Sequence, residues 1–407
     1  MTDRYDPLTG ERLLETVRRA LAHIPFYANY PAPSGDAWFE ALPVLRREDL
    51  TGVAPTRWLH PDLDLAAELA RGTLRPLTTS GSTDEPLKVY ADTALSLPPN
   101  VWSMHGLPDD AKLVNLTAPV CLGSSCPGDV APHGARGLLL TFRAGLFTAS
   151  DVSIARAVTA WNAFAPRIAF VNPAWLHWLH RRARGLGLTM RPPELLCLTY
   201  QYPSVCQRRA LKAAFPVPQV EFYGASEFGG TDLAIGCDQG HLHLVEYQAY
   251  VEALPSEHAG HDELVFTTPV SRAMPLVRYT PGDLGRVTRV EEDACALWDV
   301  PVVELHGRLR EVMHSTTQVV TTRAFDDAVG AVPGLEFYGA RSRQGALTMQ
   351  VIVAPGQDAA VTSALQACAK ALGFSSLAVQ VVEQLELGAS GKLQLTGEDE
   401  RHALETR

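Results

Sequence analysis

Between residues 110 and 290 short, wholly apolar runs alternate with amphipathic stretches, and this alternation constrains the fold more than any other feature of the chain. "AKLVNLT", "GLLLTF", "RIAFV", "ELLCLTY", "VEFYG" and "ELVFTT" read as strands, while "DVSIARAVTAWNAF", "PAWLHWLHRRARGLG" and "SVCQRRALKAAF" carry helical spacing. Apolar runs without a polar face belong to strands covered on both sides, so the pattern predicts an α/β domain with largely buried sheets. Upstream, "ERLLETVRRALAHIPFY" places Leu14, Val17, Leu21 and Ile24 at helical spacing and stops at Pro25. "ALPVLRREDL" reads as a short extended segment entering a helix at Arg47–Asp49.

After His306 the order changes. The tail reads as helix "TTRAFDDAVGAV", strand "LEFYGAR", strand "ALTMQVIVA", a helix with Val361, Leu365, Cys368 and Leu372 on one face, and strand "LAVQVVEQL". The expectation is a large N-terminal α/β domain over 1–306 and a small C-terminal α+β domain over 307–407. A chain of 407 residues exceeds what one core usually serves, which agrees with two domains. Hydrophobic residues at 46%, charged residues at 20% and a net charge of −10 describe a soluble enzyme with no nucleic-acid partner and no membrane partner, expected in the cytoplasm. The seven cysteines do not form a disulfide framework and read as thiols or metal ligands.

Four stretches carry chemistry. "TTSGSTDEP" has the small residues that let backbone N–H groups approach a polyphosphate, with the hydroxyls of Thr79, Ser80, Ser82 and Thr83 as further donors; the same composition also makes a surface turn. "EFYGASEFGG" turns at Gly224 at a strand C-terminus, where Tyr223 could stack on a base and Glu227 could hold Mg²⁺. "VRYTPGDLGRV" offers Asp283 to a pair of ribose hydroxyls, or to its own turn. "LGASGKLQ" carries Lys392 in a glycine-flanked turn, a cation able to reach a carboxylate and an α-phosphate together.

In this order the four stretches resemble the adenylate-forming superfamily of acyl-CoA synthetases, adenylation domains and luciferases, most closely its phenylacetate-CoA ligase-like branch. "HIPFY" with "LPVLRREDL", "APHGAR" and "GCDQGHLHLVEY" resemble further signatures of that branch, so the likeness spans nearly the whole chain. It implies that Ser80, Gly81, Ser82 and Thr83 cradle the β- and γ-phosphates of ATP, that Ser226 contacts phosphate and Glu227 Mg²⁺, and that Asp283 and Arg308 hold the ribose. Arg310 occupies the hinge of a C-terminal lid that delivers Lys392. His133, Tyr200, Tyr202, Phe222 and Gly224 are implied around the acyl group, with Tyr200 and Tyr202 able instead to stack on adenine. The implied reaction activates a small-molecule carboxylic acid, aryl or small and hydrophobic, as acyl-AMP. The acyl group then passes to a thiol, CoA or the phosphopantetheine of an acyl carrier protein. The enzyme would be a monomer or homodimer.

Three departures bear on this. Asp84 stands where the phosphate loop has glycine, and its charge opposes a triphosphate. "TYQYP" replaces a Gly-Ala-Glu-Pro strand. Thr317 in "HSTTQVVTT" replaces a glycine beside the pantetheine tunnel, which keeps open an amide synthetase using an amine acceptor, while Asp84 and "TYQYP" keep open a repurposed non-catalytic fold. "CDQGHLH" places His241 and His243 two apart on a strand with Cys237 upstream. Many members of the branch carry a structural Zn²⁺ on a Cys, the following His and a later cysteine pair; Cys295 matches one of that pair, and His241 could supply the fourth ligand in its place. Cys121 and Cys126 read as pocket-lining thiols.

Overall fold

The computed structural model describes residues 7–78, 87–93, 101–119, 129–133, 136–230, 232–258 and 260–399. Packing gathers the chain into two compact units, Met1–Asp109 with Val220–Glu304 and Asp110–Gln219 with Leu305–Arg407.

In the second unit the expected α/β alternation is present. Strands Leu113–Leu116, Gly137–Leu140, Ile168–Val171 and Leu195–Leu198 run parallel, with Leu113–Leu116 between Gly137–Leu140 and Ile168–Val171. A short antiparallel strand, Val130–Pro132, closes one edge. Helices Asp151–Phe164, Pro173–Gly185 and Val205–Ala214 start at Ser150, Asn172 and Ser204, whose side chains accept from the first orphan backbone N–H groups. Ser204 and Gln207 complete a reciprocal capping box.

Residues 305–407 follow the expected order: helix Thr322–Val329, antiparallel strands Leu335–Arg343 and Ala346–Val353, helix Asp358–Ala371, and strand Ser376–Val381 parallel to Ala346–Val353. They share one hydrophobic core with residues 110–219. Phe337, with no exposed surface, stacks on His177 at 4.3 Å and meets Phe147 and Trp178 edge-on. Burial pushes His177 down to about 3, so a neutral imidazole faces the ring. Arg209 donates to the carbonyl oxygens of Gly330, Ala331, Val332 and Leu335. Thus the change of pattern at 306 coincides with continuous packing from 305 onward against 110–219.

The other unit is mainly antiparallel. Tyr250–Pro255 pairs with Asp262–Thr268, which pairs in turn with Leu276–Tyr279 and Asp283–Thr288. Gln219–Gly224, Asp232–Gly236 and Leu242–Leu244 continue the meander. Helix Gly10–His23 buries Leu13, Val17, Ala20 and Leu21; Leu13 takes the core position expected of Leu14, which is only partly buried. In "HIPFY", the Tyr27 hydroxyl donates to the Pro275 carbonyl and accepts from Val277 N–H, pinning the next strand. Leu45 bonds at both its N–H and its carbonyl to Arg278 and Thr280. The expected helix start is the single turn Arg47–Leu50.

Candidate active site and metal centre

The stretch 219–236 folds back on itself: strand Gln219–Gly224, a 3₁₀ turn Ser226–Phe228, Gly229 and Gly230 at φ +71°, then strand Asp232–Gly236. A Cβ on Gly229 would lie 3.0 Å from the Tyr90 carbonyl oxygen, and one on Gly230 3.1 Å from Leu77 Cδ1. Both glycines therefore combine a left-handed backbone with close approach to the hairpin Leu74–Thr78/Lys88–Asp92. The link between those two strands contains Thr79, Ser80, Gly81, Ser82, Thr83 and Asp84, which lie outside the described residues, as do Cys121 and Cys126. Its stems are fixed against the glycine pair.

Two side-chain pairs define this site. The Tyr223 hydroxyl donates to Asp283 Oδ2 at 2.7 Å, and Asp283 is buried. Arg47 holds Glu227 Oε1 at 3.0 Å, both partly buried, and no bond to Glu227 Oε2 is found among the described residues. The reading of "LRREDL" as a helix start missed this arginine, since nothing local announces a partner 180 residues away. Ser226 opens the 3₁₀ turn, Gly224 is exposed, and Phe222 is buried with Trp102 at 6.5 Å between ring centres.

Lys392, His133, Tyr200, Tyr202, Arg308 and Arg310 belong to the other unit. Lys392 is partly buried in a turn closed by Gly388 N–H to the Lys392 carbonyl and Gly391 N–H to the Gly388 carbonyl. Trp175 Nε1 donates to the Gly391 carbonyl at 3.2 Å, and Leu393 N–H donates to Gln201 Oε1 at 3.0 Å. The lysine turn is thus bonded to the "TYQYP" stretch and to a core tryptophan. Tyr200, at φ +69°, donates to Asn115; Tyr202 donates to Asp326, with the Arg208 guanidinium over its ring. Both hydroxyls are therefore engaged within their own unit. His133 is exposed at the end of a hairpin, its N–H bonded to the Gly137 carbonyl. Arg308 and Arg310 flank Leu309 in the 3₁₀ turn that opens the C-terminal segment.

Cys237, His241, His243 and Cys295 come together with their ligand atoms all within 4.8 Å of one another. A hairpin with Gly240 at φ +83° sets Cys237 opposite His241, their Sγ and Nδ1 3.7 Å apart. His243 Nδ1 donates to the Val300 carbonyl at 3.3 Å, which turns the lone pair of Nε2 toward Cys295 Sγ at 3.3 Å. Ligands around a tetrahedral zinc stand about 3.3–3.8 Å apart, from bonds of ~2.0–2.3 Å. Two of the separations have this spacing and all lie within 4.8 Å, so two sulfurs and two imidazole nitrogens suit such an ion, and the Val300 carbonyl supplies the outer hydrogen bond that fixes a ligating histidine.

This architecture is the mixed α/β fold of the adenylate-forming acyl-CoA ligases. Among solved structures, the chain is similar to 2-hydroxyisobutyryl-CoA ligase in the postadenylation state in complex with 2-HIB-AMP, with a TM-score of 0.70 and 16% identity over 99% of this chain and 92% of that one. It is also similar to the anthranilate CoA ligase AuaEII in complex with anthranoyl-AMP, with a TM-score of 0.55 and 12% identity over 78% of this chain and 65% of that one. No protein-family model and no curated protein matches the sequence.

Proposed function

We propose that the protein uses MgATP to activate a carboxylic acid as acyl-AMP and passes the acyl group to a thiol, as a relative of the phenylacetate-CoA ligase-like branch. The observation that carries this reading is the Tyr223–Asp283 pair beside Ser226 and Glu227, at the end of a strand whose two glycines hold the stems of the 79–86 segment.

Each group then has a role. Asp283, oriented by the Tyr223 hydroxyl, receives the ribose hydroxyls while the Tyr223 ring meets the base; Arg308 assists at the ribose. Ser226 and the hydroxyls of Thr79, Ser80, Ser82 and Thr83, with Gly81 backbone, bind phosphates. Glu227, charge-balanced by Arg47, would hold the nucleotide's Mg²⁺, the one- or two-carboxylate attachment usual for that ion. The substrate carboxylate oxygen attacks the α-phosphorus, the bond to the bridging oxygen breaks, and pyrophosphate leaves. Lys392 neutralises charge between carboxylate and α-phosphate. A thiolate then attacks the acyl carbon and AMP departs. Phe222, Gly224, His133 and Tyr200 favour an aryl or small hydrophobic acid.

Cys237, His241, His243 and Cys295 would hold a structural Zn²⁺, tying the 232–244 hairpin to the segment around Cys295. A lid over 307–407 hinged at Arg310 would be a moving part of the reaction cycle, since in this structure 305–407 shares one core with 110–219. Among the described residues no helix is long and apolar enough to cross a membrane.

A second reading, transfer to an amine, is favoured by the segment around Thr317. Ser315 and Gln318 close a turn there, Thr316 Oγ1 bonds to the Gly373 carbonyl, and a Cβ on Gly373 would lie 2.2 Å from Thr317 Oγ1. This compact turn replaces the glycine expected beside a pantetheine tunnel. Pyrophosphate release with a panel of acids tests activation; adding CoA, phosphopantetheinylated carrier or amines then separates the acceptors. No pyrophosphate with any acid would leave only a repurposed fold.

A further inference from the structure

Asp232 opens the strand after the two glycines, directly opposite Gly224 across a bulge in the 219–236 hairpin. It takes part in no hydrogen bond or ion pair with the described residues, and burial pushes its carboxyl pKa up to about 7. Yet the residue keeps part of its surface, and its oxygens are not among the sealed, unpartnered polar atoms. Among the described residues this carboxyl is crowded by protein, reachable from solvent and without a donor, the condition of a side chain placed to meet a ligand. A sealed core carboxyl would have acquired a partner, because an unpaired buried charge is strongly unfavourable. The other carboxylates around the site illustrate the contrast: Glu227 has Arg47, Asp283 has Tyr223, Asp92 has Arg272 and Glu263 has Arg46.

We propose that Asp232 receives an ammonium group of a substrate. This rests on the carboxyl-activation reading, in which Gly224 borders the acyl group, and it narrows the substrate class. The ammonium belongs either to the acid, making it an amino acid, or to an amine that accepts the acyl group. In both cases the ligand supplies the charge-assisted hydrogen bond that the protein does not. A neutral partner would leave the carboxyl unpaired, and an acid carrying a second anion would be repelled.

The test compares wild type with Asp232→Asn, which keeps side-chain shape. One arm measures ATP–pyrophosphate exchange with matched acids: phenylalanine against 3-phenylpropanoate, and 4-aminobutyrate against butyrate. The other measures consumption of enzyme-bound acyl-AMP by phenethylamine and by 2-phenylethanol. In one arm the wild type should favour the ammonium compound, and Asp232→Asn should reduce that preference at least tenfold, or ~1.4 kcal/mol. A response in the acid arm assigns the charge to the acid; one in the acceptor arm assigns it to the amine. Preferences changed less than twofold in both arms would overturn the proposal. If no acid supports exchange, the carboxyl-activation reading fails on its own, and calorimetry with the same ammonium compounds decides about Asp232. Equal or undetectable binding to the two proteins would overturn it.

Discussion

The two compact units hold their functional turns by opposite means. In the 110–219/305–407 unit, the Lys392 turn bonds to Trp175 and Gln201, which rest on a core of large apolar side chains running through Phe142, Trp175 and Phe337. In the 1–109/220–304 unit, Glu227 and Asp283 are fixed by individual polar partners, Arg47 and Tyr223, and the neighbouring hairpin is gathered by two cysteines and two histidines. The first arrangement depends on volume. The second depends on charge and protonation and, with the proposed Zn²⁺, on metal, so perturbations of one kind should strike one unit and spare the other.

The largest effect is expected from Phe337→Ala. It empties a fully buried ring site and should destabilise the protein by about 3–5 kcal/mol in denaturant unfolding, with metal content unchanged. A loss below ~1 kcal/mol would mean that 305–407 does not share the core of 110–219. Next comes Cys237→Ser. Elemental analysis should give about one zinc per wild-type chain and far less in the variant, with a lowered melting temperature. Metal-free wild type of equal stability would remove the metal from the account.

Asp232→Asn should act in a defined pH window. The folded carboxyl sits near 7, above its unfolded value near 4, so the native state holds the proton more tightly and loses stability as pH rises between those values. The Asn variant should therefore equal wild type near pH 4 and exceed it by up to about 4 kcal/mol above pH 7, the three units between the two values at ~1.4 kcal/mol each. A variant less stable than wild type at pH 8 would show that the carboxylate has a partner. The smallest effect belongs to Tyr223→Phe, which removes one hydrogen bond to Asp283 and should weaken ATP binding by ~1 kcal/mol, about fivefold by calorimetry. Unchanged affinity would detach that pair from the nucleotide.

Local pattern made some of this legible. The strands of 110–219 are short apolar runs bounded by Ser150, Asn172 and Ser204, residues that both start helices and announce them. The hairpin bearing Cys237 and His241 is written in adjacent residues, including its Gly240 turn. Cys295 is remote in sequence and was reached only through resemblance. In the first helix, Leu13 and Leu14 satisfy nearly the same periodicity, and only tertiary packing selects Leu13. The Arg47–Glu227 pair and the core shared by Phe147 and Phe337 join segments about 180 residues apart, so no local rule encodes them. The break in pattern at 306 reflects a new run of secondary structure, which is a different property from independent packing.

Carboxyl activation with Lys392 as the neutralising cation is the central claim, and ATP–pyrophosphate exchange by Lys392→Ala measures it most directly. The turn around this residue is closed by backbone bonds, so the substitution should leave the melting temperature unchanged. Exchange should fall ~10²-fold or more, the usual consequence of deleting one charge contact made in the transition state. Exchange at the wild-type rate in a folded Lys392→Ala protein would contradict the account.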